Sequence, residues 1–213
     1  MKEYYQSDAK FLKLDIHFPY TEMLEEAKRL RDRFVPHRDT ESKGWASLTL
    51  HGLGEDKTGS WKDYGYTSGA DAGKDMHWTD VANQCPITTT FFKNKFPCNR
   101  YGRIRFMLLK PGGYIGLHSD SRMSLLENIN MVLNNPIDCV WKWGDGDIFD
   151  MKPGNAYAVN IHYMHSVYNN SDEDRFHIIA TRHDALPEWK RLIDDAVLKQ
   201  NVTGHYIDLP DLP

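Results

Sequence analysis

Apolar residues recur at three- and four-residue steps between Thr21 and Phe34, at Met23, Leu24, Ala27, Leu30 and Phe34. That spacing predicts an amphipathic helix over 21–34, capped by Thr21. A second stripe, Trp189, Leu192, Ile193, Ala196 and Val197, follows Pro187, which suits a first helical turn. Between the two helices the texture changes to short runs rich in β-branched and aromatic residues, over 45–50, 103–109, 114–117, 128–133, 138–143, 156–161 and 176–181. Pro111-Gly112-Gly113, Asn134-Asn135-Pro136, Gly144-Asp145-Gly146 and Pro153-Gly154-Asn155 punctuate them as turns. Strands so spaced, with no helix interleaved after residue 100, indicate an antiparallel barrel or double-sheet jelly roll.

The chain reads as one domain over 1–213. Residues 1–43 form an N-terminal helical support, 44–183 a jelly-roll core, and 184–213 a C-terminal helix and tail. Within the core, 52–98 starts as a polar, Gly-rich stretch dotted with Trp61, Tyr64, Tyr66, His77 and Trp78, and is a candidate substrate lid. A net charge of -4 argues against a broad nucleic-acid surface, and Glu25-Glu26 and Asp32 break up the basic stretch Lys28–Arg33. The three cysteines, Cys85, Cys98 and Cys139, make no CxxC pair, so neither a disulfide framework nor a thiolate zinc site is expected. No signal-like or membrane-length apolar run occurs, and the expected setting is a reducing cytosol, with no membrane partner.

Ten histidines offer metal ligands, and position selects among them. His118-Ser119-Asp120 ends an apolar strand, and alternation sends residues i and i+2 to one side, so an imidazole and a carboxylate can meet one ion. An HxD triplet alone is common, and an iron(II) site of two His and one carboxylate needs a second His from a distant strand. His162, His165, His177 and His183 are the choices. Only His165 has, ten positions on (175 − 165), a residue that could hold an anion, Arg175; the same step from His162 reaches Asp172 and from His177 reaches Pro187. A hairpin turned by Asn169-Asn170-Ser171-Asp172 would set Arg175 beside the metal, where its two-pronged guanidinium suits a dicarboxylate.

The HxD, the His 45 residues on and the Arg ten later resemble the iron(II)/2-oxoglutarate dioxygenases. More narrowly, NxxxxHSVxNxSxxDRxHxI, beginning at Asn160, and RIRFMLLKPGGYIGLHSD, ending at Asp120, resemble the aspartyl/asparaginyl β-hydroxylase-like branch, which includes bacterial hydroxylases of free proline. The likeness covers about 100–182, and GWASLTLHG at 44–52 more weakly. It implies a double-stranded β-helix (jelly roll, cupin-like) that is mainly β with flanking supporting helices. It also implies iron(II), 2-oxoglutarate as cosubstrate and O2, with hydroxylation of an amino-acid side chain, free or in a peptide or protein, and release of succinate and CO2. His118, Asp120 and His165 are then the metal ligands, and Arg175 the partner of the 2-oxoglutarate C5 carboxylate. By the same likeness Asn128 and Asn130 stand where mammalian members bind the C1 carboxylate with an Arg and a His, and Met107 stands where they carry a Ser.

Around this set, His177 shares the face of Arg175 and supports the cosubstrate. Arg103, Arg105, Arg122, His51, Trp61 and Tyr64 are candidates for gripping substrate, Arg122 also for supplying charge at C1. Trp141 and Trp143 are read as core filling, and His162 and His183 as structural. Two competing functions use the same triad: a cupin-like isomerase or hydrolase without 2-oxoglutarate, which Arg175 disfavours, and a non-catalytic metal-binding jelly roll.

Overall fold

A computed structural model describes residues 2–37 and 41–209. In chain order its elements are β1 (Lys2–Gln6), β2 (Phe11–Leu14), α1 (Tyr20–Arg29), β3 (Val35–Pro36) and β4 (Ser42–Gly52). Next come α2 (Gly69–Asp75), β5 (His77–Trp78), α3 (Asp80–Gln84), α4 (Pro86–Asn94), β6 (Tyr101–His118) and β7 (Asn128–Val132). Then follow β8 (Cys139–Trp143), β9 (Ile148–Phe149), β10 (Ala156–Val159), β11 (His165–Asn169), β12 (Arg175–Arg182), α5 (Pro187–Gln200) and β13 (His205–Leu209).

The strand β6 organises the molecule. The Pro111-Gly112-Gly113 segment is not the turn expected between two strands but a corner inside one strand of 18 residues. Gly112 takes φ +63°, and a Cβ on Gly113 would stand 2.7 Å from the Lys110 carbonyl oxygen and 2.8 Å from that of Lys43. Only glycine permits both the left-handed backbone and the close approach. The paired strand β4 yields at the same level, with Gly44 at φ +68° and a register shift between Lys43 and Trp45. Before the corner β6 pairs with β12, and after it with β11. The sheet therefore runs β2-β10-β7-β12-β6-β11-β8-β9, with β4 on the other edge of β6. Folded at the corner, it makes the two facing antiparallel sheets of a double-stranded β-helix.

Alternation divides the side chains between two cores. Leu48, Ile104, Phe106, Leu108, Met131, Phe176 and Ile178 point outward from the larger sheet, to a cluster covered by Met23 and Ala27 of α1, Phe91 and Phe92 of α4, and Trp189 and Ile193 of α5. Their odd-even neighbours Leu109, Val132, Tyr157 and Val159 point inward, meeting Trp141, Trp143, Phe149 and Val167 between the sheets. Each such buried side chain contributes roughly 1.5–3 kcal/mol.

Several boundaries differ from the sequence reading. The first helix has Pro19, not Thr21, at its cap and stops at Arg29, with a short 3-10 turn over Arg31–Arg33. The N-terminal support also contains β1 and β2, and the C-terminal tail contains β13, which pairs with β1; residues 210–213 of that tail lie outside the described residues. The candidate lid is not loop throughout, since α3 and α4 lie within it and Phe91, Phe92 and Phe96 enter the outer core. The buried Glu26 carboxylate accepts from the backbone N–H of Ile87 and Thr88 and so caps α4 from α1. The basic stretch is spent on surface ion pairs, Lys28 with Glu25, Arg31 with Asp174 and Arg33 with Glu55. Among the described residues no helix is long and apolar enough to cross a membrane.

Candidate metal centre

The pairing of β6 with β11 sets His118 directly opposite His165 across the ladder. Their rings lie 4.4 Å apart between centroids. Each ring has Nδ1 at 2.8 Å from a backbone carbonyl two residues earlier, Gly116 for His118 and Tyr163 for His165. A neutral imidazole that donates from Nδ1 presents the lone pair of Nε2, and here both Nε2 atoms face Asp120. The Asp120 Oδ2 lies 3.4 Å from Nε2 of His118 and 3.9 Å from Nε2 of His165. The ligand atoms of the three residues all fall within 4.8 Å of one another. Cis ligands about 2.1 Å from an ion lie about 3 Å apart, so small side-chain rotations close the set on a metal.

Asp120 does not reach this position by strand alternation, because β6 ends at His118. A loop carries it instead. Its backbone N–H donates to the Ile161 carbonyl at 3.0 Å, and the Ser119 hydroxyl donates to the His162 carbonyl at 2.8 Å. Nδ1 of His162 lies 3.1 Å from the Ser121 carbonyl, so this histidine ties the same loop to the turn before β11. His165 is 3% exposed, whereas the carboxylate side of the site is open. Burial lowers the His165 pKa, and His118 adds to the effect, which keeps the ring in its ligating form. Trp141 lies parallel to His165, 4.8 Å between centroids at 12°, and fixes the ring plane. Core filling was only half its role; an aromatic two residues from another on a strand gave no sign of the imidazole beneath it.

On the opposite inner face, strand pairing aligns three rows. Trp45, Leu109 and Arg175 form the row nearest the corner; Ser47, Met107, His177 and Val132 the next; Thr49, Arg105, Ile179, Asn130 and Tyr157 the third. Arg175 is 1% exposed. It donates to Asn135 Oδ1 at 3.1 Å and Met151 Sδ at 3.2 Å, and its Nη1 lies 3.1 Å from His177 Nδ1. Among the described residues no carboxylate pairs with it, and burial alone lowers its pKa. Burial, then the Arg175 charge, hold the His177 pKa well below the ordinary value of 6.5, so that ring is neutral and accepts from the guanidinium. Asn135 and Met151 were missed: the first lay in a segment read only as a turn, and the second carries no pattern at all.

The route to Arg175 also differs. β11 and β12 do not form a hairpin but flank β6 on its two halves. The fully buried Asn169 holds the crossing, donating to the carbonyls of Leu109 at 2.9 Å and Glu173 at 2.8 Å while accepting from Ser171. Met151, touched by Arg175, belongs to the same inner cluster as Trp141, which covers His165. His165 is four residues from Asn169, or ~13 Å along the strand.

The remaining candidates scatter. Asn130 donates to Asn128 Oδ1 at 2.8 Å, and its own Oδ1 is buried without a partner among the described residues. Arg105 is buried on the inner face rather than at the surface, with Arg103 half-buried beyond it. Arg122 is exposed on the loop after Asp120. Trp61 and Tyr64 sit half-buried on a 3-10 turn, where Tyr64 Oη accepts from the Gly59 N–H at 2.9 Å. His51 points away from this centre, with Nδ1 at 2.7 Å from the Gly102 carbonyl and Trp78 and Tyr101 against its ring. His183 joins it at the rim.

No curated protein matches the chain in sequence. Among solved structures it is similar to a Pseudomonas putida prolyl-4-hydroxylase, at 13% identity over 83% of this chain and 94% of that one, with a TM-score of 0.47. It is similar also to a Trichoplax adhaerens prolyl hydroxylase in complex with a hypoxia-inducible-factor peptide fragment, at 13% identity over 87% of both chains and a TM-score of 0.48. A third, a 2OG-Fe(II) oxygenase family oxidoreductase from Burkholderia pseudomallei, matches at 11% identity over 77% of this chain and 92% of that one, TM-score 0.44. The sequence model of the aspartyl/asparaginyl beta-hydroxylase family matches residues 16–183, well over half of the chain. The chain therefore belongs to the aspartyl/asparaginyl β-hydroxylase family, a branch of the iron(II)- and 2-oxoglutarate-dependent dioxygenases.

Proposed function

We propose that this enzyme hydroxylates an amino-acid side chain, free or within a peptide or protein, with iron held by His118, Asp120 and His165. The observation that carries the reading is the convergence of two Nε2 atoms and one carboxylate oxygen within 4.8 Å, with both Nδ1 atoms already engaged by carbonyls. Two imidazoles and one carboxylate are the donor set of non-haem iron(II) oxygenases, which leaves the remaining positions for 2-oxoglutarate and O2. Bound iron supplies the oxidising chemistry; the protein supplies geometry and a dry, shaped site.

Arg175 is the partner for the C5 carboxylate, since a fully buried guanidinium without an anion is costly until one arrives. His177 orients it. An isomerase or hydrolase on the same triad would leave that charge unanswered. At the C1 end Asn128 and Asn130 bring dipoles but no charge; Arg105, in the row of Asn130, brings the charge those amides lack. The segment 52–98 is the lid in this reading, and three buried free thiols fit a reducing cytosol.

The test is succinate formation from 2-oxoglutarate, coupled to mass spectrometry of amino acids and peptides offered as substrates. A +16 product that forms with the wild type and not with Asp120→Ala supports the reading. Product from both proteins would contradict it.

A further inference from the structure

The smaller sheet carries a buried donor that the metal centre leaves unused. The indole Nε1 of Trp141 is buried with no hydrogen-bond partner among the described residues, in a residue only 7% exposed. A buried N–H of this kind is rare in a native fold, because nothing offsets its lost hydration.

The surroundings of the indole offer it no acceptor. Trp143, Phe149 and His165 are the rings against it, with centroids at 5.7, 5.7 and 4.8 Å. Ile115, Val132, Val159 and Val167 of the same inner cluster are aliphatic. Of the cluster's polar atoms, Met151 Sδ accepts from Arg175, and Tyr157 Oη accepts from the Lys152 backbone N–H and from Asn155. The His165 ring has Nδ1 at the Tyr163 carbonyl and Nε2 towards Asp120.

Backbone pairing seats Trp141 opposite Val167, two positions along β11 from His165, and the indole lies over the imidazole at 12°. An indole laid over a ligand ring borders the coordination positions beside that ring. Met151, in the cluster that Trp141 shares, is the residue that Arg175 touches. Trp141 thus joins, on the smaller sheet, the imidazole at the ion to the cluster that meets Arg175. Arg105 and Asn130 stand on the larger sheet.

A carboxylate or keto oxygen brought to the ion is the acceptor that this interior lacks. We infer that the Trp141 N–H binds the cosubstrate, donating to an oxygen at the end of 2-oxoglutarate that chelates iron. The inference rests on the iron and 2-oxoglutarate reading above and adds to it a donor from the smaller sheet. One indole then does two separable things: its face holds the His165 ring, and its N–H holds the cosubstrate. A hydrogen bond to a charged oxygen is about twice as strong as one between neutral groups, so the effect is measurable.

The experiment titrates anaerobic, iron-loaded protein with 2-oxoglutarate and follows the visible charge-transfer band, on the wild type, Trp141→Phe and Trp143→Phe. Iron affinity is measured first for each. Trp141→Phe keeps an aromatic face for His165 and removes the N–H; Trp143→Phe makes the same truncation on the same face of β8. The expected Trp141→Phe protein holds iron within about threefold of the wild type and binds 2-oxoglutarate about fivefold or more weakly. Its band moves to shorter wavelength, because the lost hydrogen bond no longer stabilises the electron-accepting orbitals of the cosubstrate. Trp143→Phe shows neither change. A loss below about fivefold in Trp141→Phe overturns the inference and leaves the underlying reading standing. So does an equal loss in Trp143→Phe, a parallel loss of iron, or weaker binding with the band unmoved. A wild type that shows no band overturns the underlying reading, and this inference with it.

Discussion

Replacing Arg175 with Met should move stability and cosubstrate binding in different directions. The side chain is fully buried, of similar length to Met, and bonded to Asn135, His177 and Met151 with no carboxylate among its described partners. Removing an uncompensated buried charge returns about 1–4 kcal/mol. Leaving the Asn135 and His177 acceptors unanswered costs about 1 kcal/mol each. Without cosubstrate the variant should therefore lie within about 2 kcal/mol of the wild type, on either side. Binding is another matter, because deleting the partner of a buried carboxylate costs about 2–5 kcal/mol, or about 30- to 5,000-fold in affinity. Urea melts of anaerobic, iron-loaded protein with and without 2-oxoglutarate read both effects. At about 100 times the wild-type Kd the wild type gains about 2.7 kcal/mol and the variant almost nothing. A variant that loses more than about 4 kcal/mol without cosubstrate, yet keeps the full gain with it, would make Arg175 a structural hub and refute the reasoning.

Trp141→Ala removes the ring stacked on His165, and iron affinity by anaerobic titration should drop about 10- to 100-fold with the fold intact; unchanged affinity would reduce Trp141 to core filling. Burial lowers the pKa of His51, His165 and His177 from the ordinary 6.5, so below that pH the unfolded chain takes up protons the folded chain does not. Metal-free stability should thus be flat above 6.5 and fall below it, approaching at most about 4 kcal/mol per pH unit; stability that holds level down to about pH 5.5 contradicts the burial argument. At the corner of β6, Gly113→Ala should destabilise more than Gly112→Ala, because its Cβ meets two carbonyl oxygens while that of Gly112 meets open space and costs only about 1 kcal/mol of left-handed strain. Equal melts for the two would mean that the corner relaxes freely.

Much of this architecture was legible because the inner and outer faces of each strand differ in composition. Arg175 and His177 alternate with Phe176 and Ile178, and that period of two survives in the fold unaltered. The step from His165 to Arg175 is taken by a crossing between sheets pinned by Asn169 rather than by the expected hairpin. What was hidden depends on partners distant in sequence. β1 and β13 are too short and polar to be seen until each finds the other. The helices inside 52–98 were obscured because their apolar residues, such as Val81, Phe91 and Phe92, face a core built by other segments. Asp120 needed the carbonyl of Ile161, 41 residues away (161 − 120), to hold its loop.

The central claim is that His118, Asp120 and His165 hold iron(II) in a form that chelates 2-oxoglutarate. The absorption spectrum of anaerobic protein mixed with iron(II) and then 2-oxoglutarate tests it most directly. The account predicts a weak visible charge-transfer band in the wild type that is absent from His165→Ala. A wild type without the band, or a variant that retains it, would contradict the account.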